Sequence, residues 1–74
     1  MTKHMKGIAA EVRAAAARKG LSQADLGIVL SLGRLAVSRR LNGHQDFTVD
    51  ELFKLSTALD VDIADLIKAG DEAA

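Results

Sequence analysis

The sequence predicts an all-α protein, a compact bundle of five helices that forms one domain over residues 1–74. Three observations favour this fold class. Apolar residues make up 49% of the chain, yet its only aromatic residues are two phenylalanines, and small aliphatic side chains suit helix-on-helix packing. These residues recur at helical spacing. The chain has no cysteine and only two histidines, so helix packing must stabilise it without disulfides or a structural metal.

The first helix is predicted from about Met5 to Arg18. Lys19 supplies a basic last turn, and Gly20 suits the left-handed conformation that ends many helices. The face expected to point into the core carries Met5, Ile8, Ala9, Val12 and Ala16.

A second helix is predicted to begin after Ser22, whose hydroxyl suits the N-cap position. Leu21 before the cap and Leu26 after it can pack together as a hydrophobic staple. The Ser-Leu-Gly stretch at 31–33 interrupts the pattern and predicts a turn. Gly27 lies inside this helix, where glycine costs about 1 kcal/mol relative to alanine, which indicates a close approach by another part of the chain.

A third helix is predicted from about Arg34 to Leu41, ending at Asn42-Gly43, since both residues tolerate positive φ. Residues 48–51 form the pattern of a capping box that opens a fourth helix, with Phe47 and Leu52 as its staple. One face of the fourth helix carries Leu52, Leu55, Ser56 and Leu59.

The fifth helix repeats the same device. Asp62 is its expected cap, and Val61 and Leu66 form its staple. We expect this helix to end at Gly70 and the tail 71–74 to be frayed.

The second and third helices together have the pattern of a helix-turn-helix. They are joined by a short turn and share the apolar residues Leu26, Leu30, Leu32 and Val37. In a helix-turn-helix the second helix can lie in the major groove of DNA. An ordinary αα-hairpin stays open as the alternative, because many such hairpins carry a small residue at the crossing.

Helical geometry separates the residues of the third helix by direction. With Val37 taken as pointing inward, Arg34, Arg40 and Leu41 fall within about 60° of the core direction. The residues that point outward are Leu35, Ser38, Arg39 and Asn42.

Arg39 and Arg40 are therefore predicted to differ. Arg39 can reach the O6 and N7 atoms of guanine, and Leu35 beside it can contact a thymine methyl group. Arg40 lies at the margin, with its stem against the core and its head free to reach a phosphate. The alternative for both arginines is an ordinary solvated charge.

The formal net charge of zero conceals two opposed halves. Residues 1–44 contain eight Lys and Arg against two acids, a net charge of +6, and residues 45–74 have a net charge of −6. A compact domain with this distribution is expected to carry a basic face that attracts a polyanion. Mutual neutralisation by contacts between the halves is the alternative.

Catalysis and metal binding have little support in the sequence. His4 and His44 are isolated. Helix caps and solvated charges account for the carboxylates at helix starts, which are Asp25, Asp50, Glu51, Asp62 and Asp65. Two histidines and scattered acids do not form a metal site, so we expect no enzyme activity, cofactor or small-molecule ligand. No apolar run has the length of a membrane span, and MTKHMKG lacks a signal-peptide core. A cytoplasmic protein without a membrane partner is expected.

Residues 21–43 read LSQADLGIVLSLGRLAVSRRLNG, and residues 47–67 read FTVDELFKLSTALDVDIADLI. They resemble the Cro/C1-type helix-turn-helix family, also called the xenobiotic-response-element type, which includes phage repressors and small transcriptional regulators. The most specific parts are L-S-Q opening the second helix, S-R and N-G closing the third, and T-x-x-E-L-x-K-L-x-x-A-L-x-V in the fourth. The resemblance implies a lambda-repressor-like DNA-binding domain that binds operator DNA as a two-fold dimer.

The resemblance also implies roles for single residues. Gln23 matches the glutamine that braces against the backbone and the first recognition residue. Asn42, followed by Gly43 and His44, matches the loop that contacts phosphates, partly through backbone N–H groups. The positions that face the groove are matched by Arg34, Leu35, Ser38 and Arg39.

Two departures from the family pattern concern the core. Relatives commonly carry an arginine late in the first helix and a glutamate just before N-G as a partly buried pair. Ala16 and Leu41 occupy these positions here, and replacing a buried ion pair by apolar residues is often neutral or stabilising. Leu41 thus takes the inward-facing position, and Arg40 stands at the preceding position, where relatives usually carry an apolar residue. Ser31 replaces a common turn glycine, which leaves the turn geometry open.

We therefore expect a sequence-specific double-stranded DNA-binding transcriptional regulator, of the phage Cro or repressor type. It would occupy a palindromic operator as a homodimer, with the dimer surface in the fourth and fifth helices by resemblance. The 74 residues leave no room for a sensor domain, so control would come from operator occupancy. The alternative is an antitoxin or protein-interaction module that uses the same fold to bind a basic partner through its acidic half.

Overall fold

The computed structural model describes the backbone of residues 3–73 and the side chains of residues 5–72. This part of the chain is all-α, which confirms the predicted fold class. α1 packs most extensively against α5, and α2 packs against α3 and α4. The helices are α1 Lys3–Lys19, α2 Gln23–Leu30, α3 Arg34–Leu41, α4 Val49–Leu59 and α5 Ile63–Ala73.

All five helices contribute to one hydrophobic core. The predicted inward face of α1 is buried from Ile8 to Ala16, and Ala15 joins it. Ala16 and Leu41 are both buried, as the sequence predicts for these two positions. The other buried apolar side chains are Leu26, Leu30, Val37, Phe47, Leu52, Leu55, Leu59 and Leu66.

Reciprocal capping boxes start α2 and α4. The Ser22 hydroxyl accepts from the Asp25 N–H at 3.1 Å, and the Asp25 carboxylate accepts from the Ser22 N–H at 2.8 Å. At α4, Thr48 Oγ1 accepts from the Glu51 N–H at 3.1 Å, and Glu51 Oε1 accepts from the Thr48 N–H at 2.9 Å. These bonds satisfy backbone groups that a helix start leaves without partners, so both helices begin where the sequence predicts.

Left-handed residues end several helices. Gly20 has a φ of +71° and Gly43 a φ of +79°, as expected for helix-terminating glycines. Ser31 and Asp60 adopt the same region with φ of 56° and 55°, although they carry a Cβ. Each donates its N–H to carbonyls of the preceding turn. The turn at Ser31 thus keeps the left-handed geometry without glycine.

α5 differs from its predicted length. It continues to Ala73, three residues beyond the predicted end at Gly70. Gly70 is buried, so packing holds it inside the helix, and the predicted end of α5 at Gly70 is wrong. Ala74 lies outside the described residues. None of the described helices combines the length and apolar character that crossing a bilayer requires.

Candidate nucleic-acid interface

The turn between α2 and α3 passes directly over Gly27. The Leu32 N–H donates to the Gly27 carbonyl at 2.9 Å. A Cβ on Gly27 would lie 2.9 Å from the Leu32 carbonyl oxygen and 3.6 Å from a Val37 methyl group. The first distance is shorter than real Cβ contacts, so this turn requires glycine. The predicted close approach is confirmed, and its nearest neighbour is the turn backbone rather than α3.

The outward face of α3 presents the residues that the sequence placed there. Leu35 is 65% exposed and Arg39 is also exposed. Arg39 makes no ion pair or side-chain hydrogen bond with the residues described. Asn42 Nδ2 donates to Ser38 Oγ at 3.2 Å, which links the two outward polar side chains. An apolar group and an unpaired guanidinium thus lie one helical turn apart on an open surface.

Arg34 and Gln23 lie on the same side of the molecule. Both line a groove between α2 and the start of α3, together with Ser31 and Leu32. Arg34 is exposed although its helical angle is near the core, because side chains tilt toward the helix N-terminus and Arg34 is the first residue of α3. The Gln23 side chain makes no hydrogen bond to a described residue, so the bracing contact implied by the family resemblance is not formed.

Arg40 does not have the environment that the sequence predicted. Its side chain is only 10% exposed, and its Nε donates to Glu51 Oε1 at 2.9 Å. Its Nη1 donates to the Ala36 carbonyl at 3.2 Å. The prediction of a guanidinium free to reach a phosphate is therefore wrong, because an ion pair between α3 and α4 holds it inside the molecule. Glu51, predicted only as a capping residue, is its buried partner.

The backbone N–H groups of the loop after α3 are occupied. The Gly43 N–H donates to the Arg40 carbonyl at 3.2 Å, and the His44 and Gln45 N–H groups donate to the Arg39 carbonyl at 2.8 and 3.2 Å. The expectation that Gly43 and His44 offer N–H groups to phosphates is therefore wrong. The exposed His44 side chain remains accessible.

Arg13 and Lys6 of α1 lie beside this loop, although neither was predicted as a site residue. An Arg13 guanidinium N–H donates to the Leu41 carbonyl, where the end of α3 leaves carbonyls that attract cations. Lys6 and Arg13 line one depression with Asn42 and Gly43. Their seven-residue spacing places the two cations on one face of α1, and this spacing was the signal that could have identified them.

In the part of the chain that the structure describes, several cations of the basic half make no ion pair with the acidic half. Among the described residues, ion pairs between the halves are Lys19–Asp60 at 3.8 Å and the buried Arg40–Glu51 pair. The exposed cations that make no described ion pair include Lys6, Arg13, Arg34 and Arg39. No three potential metal-binding side chains cluster in the region described.

The Asp25 carboxylate accepts two hydrogen bonds from Ser22 at the start of α2. The Ser22 backbone N–H donates to its Oδ2 at 2.8 Å, and the Ser22 hydroxyl donates at 3.0 Å. These bonds hold the pKa of Asp25 below its ordinary value. The shift belongs to the α2 cap and indicates no acid–base chemistry.

Two helices joined by a turn that passes over Gly27, with Leu35 and Arg39 on an open face of the second helix, have the form of a helix-turn-helix. The helix-turn-helix family model matches residues 12–66. Because the match covers most of the chain, the protein belongs to the Cro/C1-type helix-turn-helix family of DNA-binding regulatory domains. No curated protein and no solved structure matches the chain significantly.

Proposed function

We propose that the protein is a sequence-specific transcriptional repressor of the phage Cro or immunity-repressor type, which acts by occupying an operator in double-stranded DNA. The observation that carries this proposal is the open face of α3, where Arg39 has no described partner and Leu35 is exposed beside it. In this proposal Arg39 contacts guanine and Leu35 contacts a thymine methyl group. Such a regulator acts in the bacterial cytoplasm.

Phosphate contacts flank the base-reading face. Asn42 and His44 present exposed side chains at one end of α3, and Lys6 and Arg13 lie beside the same loop. Gln23 and Arg34 line the groove at the other end. Contacts at both ends fix the register of a helix on DNA, whereas base contacts between them carry the specificity. Arg40 is left out of this set because Glu51 holds it.

A homodimer on a palindromic site completes the proposal. Val49 and Phe53 form an exposed apolar pair one turn apart on α4, and Ile67 is exposed on α5. Large exposed apolar residues support an interaction surface, and a second copy of the chain would place two recognition helices about 34 Å apart, one turn of DNA.

Selection of bound sites from a random duplex pool, with a mass measurement of the complex, tests this function. We expect one palindromic site, two chains per duplex, and affinity that falls steeply as salt rises. A selection that enriches no sequence would contradict it. Tight binding to a basic protein under those conditions would favour the antitoxin or protein-interaction function.

A further inference from the structure

Arg40 and Glu51 form a buried ion pair between α3, which carries Arg39 and Leu35, and α4. We infer that Arg40 and Glu51 are positioning residues for DNA recognition, because their ion pair fixes the orientation of α3 and with it the bases that Arg39 and Leu35 reach. This inference rests on the proposed function. In this inference the Arg40–Glu51 pair does not contact DNA and acts only through the neighbouring residues of α3.

The pair bridges two helices that do not pack on each other. α3 packs against α1 and α2, but no Cα pair between α3 and α4 lies within 8 Å. Residues 42–48 join the two helices without regular structure. Glu51 Oε1 receives Arg40 Nε and the Thr48 N–H, each at 2.9 Å. One carboxylate oxygen thus ties the last turn of α3 to the first turn of α4.

Unlike an apolar contact, the ion pair constrains the orientation of α3 relative to α4. Desolvation of both charges offsets most of the attraction in a buried ion pair, so apolar replacement of both partners is often neutral or stabilising. A guanidinium, however, donates in a fixed planar geometry. Any rotation of α3 that breaks the Arg40–Glu51 bond also moves Arg39, the next residue on the same helix.

A double variant, Arg40→Met with Glu51→Gln, separates the effect of the ion pair on the orientation of α3 from its effect on the stability of the fold. Glutamine can still accept from the Thr48 N–H, as in other capping boxes, and methionine fills the space without a directed bond. Three quantities are compared with the native chain: the Tm, the ratio of Kd on random duplex to Kd on the selected site, and the salt dependence of Kd. We expect a Tm close to native and a specificity ratio lowered about tenfold, or about 1.4 kcal/mol.

The salt dependence should not change in the double variant, because Arg40 neutralises no phosphate. Lys54→Met is the matched control. It removes the cation of the exposed Lys54–Asp50 pair on α4, where the nitrogen and oxygen lie 3.3 Å apart, and it should alter none of the three quantities. Arg40→Met alone leaves Glu51 buried without its partner and should lower the Tm by about 10 °C or more.

A double variant with native specificity overturns the inference, and so does a shallower salt dependence, which would make Arg40 a phosphate contact. If the double variant does not fold, Arg40→Lys provides the same comparison. It keeps the charge but loses the Nε donor, and it should also lower the specificity ratio. If the native protein binds all duplexes with the same Kd, the proposed function itself is overturned. If the native protein prefers the selected site and the double variant prefers it equally, only the inference about Arg40 and Glu51 is overturned.

Discussion

At the scale of single residues, Arg39 and Arg40 show how neighbours on a short helix acquire different roles. They lie about 100° apart around the helix axis. Arg39 faces solvent without a described partner, whereas Glu51 and the Ala36 carbonyl hold Arg40. Helical angle alone placed Arg40 at the margin of the core. Helical angle could not show that the carboxylate of Glu51, eleven residues later in the chain, lies within hydrogen-bond distance of Arg40.

Arg39→Ala tests the role of the unpaired arginine. We expect a loss of about 1–3 kcal/mol on the selected site, together with relaxed preference at one base position, because a bidentate contact to guanine would be removed. Competition binding against sites changed one base at a time measures both effects. Lys68→Ala, an exposed cation on α5, is the control. Equal losses on selected and random duplex would instead assign Arg39 to the phosphate backbone.

Asp25 gives a prediction for pH. Hydrogen bonds from Ser22 lower its pKa, so the carboxylate stabilises the folded state above the ordinary pKa of aspartate, and this contribution is lost as pH falls through the lowered value. Asp25→Ala should therefore destabilise the protein more at neutral pH than in acid, as measured by urea unfolding. Asp46→Ala, which removes an exposed loop carboxylate, is the control. A destabilisation by Asp25→Ala that is independent of pH would argue against the mechanism.

At the scale of elements, three consecutive residues of α2 have three different environments. Leu26 is buried in the core, Gly27 lies under the turn, and Ile28 is exposed. Glycine lowers helix propensity at this point, but it allows the chain to cross back over the helix and begin α3 at the required angle. The local cost thus serves the tertiary arrangement of the helix-turn-helix.

Gly27→Ala should destabilise the protein even though alanine favours a helix by about 1 kcal/mol. The added methyl group would meet the Leu32 carbonyl oxygen at 2.9 Å, and backbone cannot move aside as a flexible side chain can. Thermal unfolding measures the change. Gly33→Ser is the control, because a Cβ there has no atom within 4 Å and serine is a favoured N-cap. An increased Tm for Gly27→Ala would contradict the geometry of this turn.

At the scale of the whole molecule, the charge distribution favours one face for a polyanion. The first 44 residues carry +6 and the remaining 30 carry −6, and among the described residues two ion pairs join the halves, one of them buried. Such a distribution orients a molecule as it approaches DNA and makes association sensitive to ionic strength. Zero net charge is therefore compatible with a strong local preference for DNA.

Arg13→Met tests whether α1 contributes to that basic face. Loss of one phosphate contact should weaken binding equally on selected and random duplex and lower the slope of log affinity against log salt by about 0.9. Titrations at several salt concentrations measure the slope. Arg18→Met provides the matched control, since Arg18 lies on the same helix but is paired with Glu11 at 2.9 Å. An unchanged slope for Arg13→Met would place α1 away from the DNA.

The sequence by itself determined the all-α class, the cap at Ser22, the glycine at 27 and the outward position of Arg39. These features follow from local rules: apolar periodicity, capping chemistry and the angle between successive residues of a helix. The family motifs in residues 21–67 are equally local, and they identified the DNA-binding class.

Only the tertiary structure decided which groups meet across the chain. It paired Arg40 with Glu51, placed Arg13 at the end of α3, occupied the N–H groups of Gly43 and His44, and continued α5 past Gly70. Each result depends on the distance between elements, because a buried charge or backbone group takes whichever partner the packing brings within reach. The stretch SLGRLAVSRRLNG at 31–43 thus contains Arg39, whose outward direction follows from helical angle, and Arg40, whose buried partner only the packing of the helices revealed.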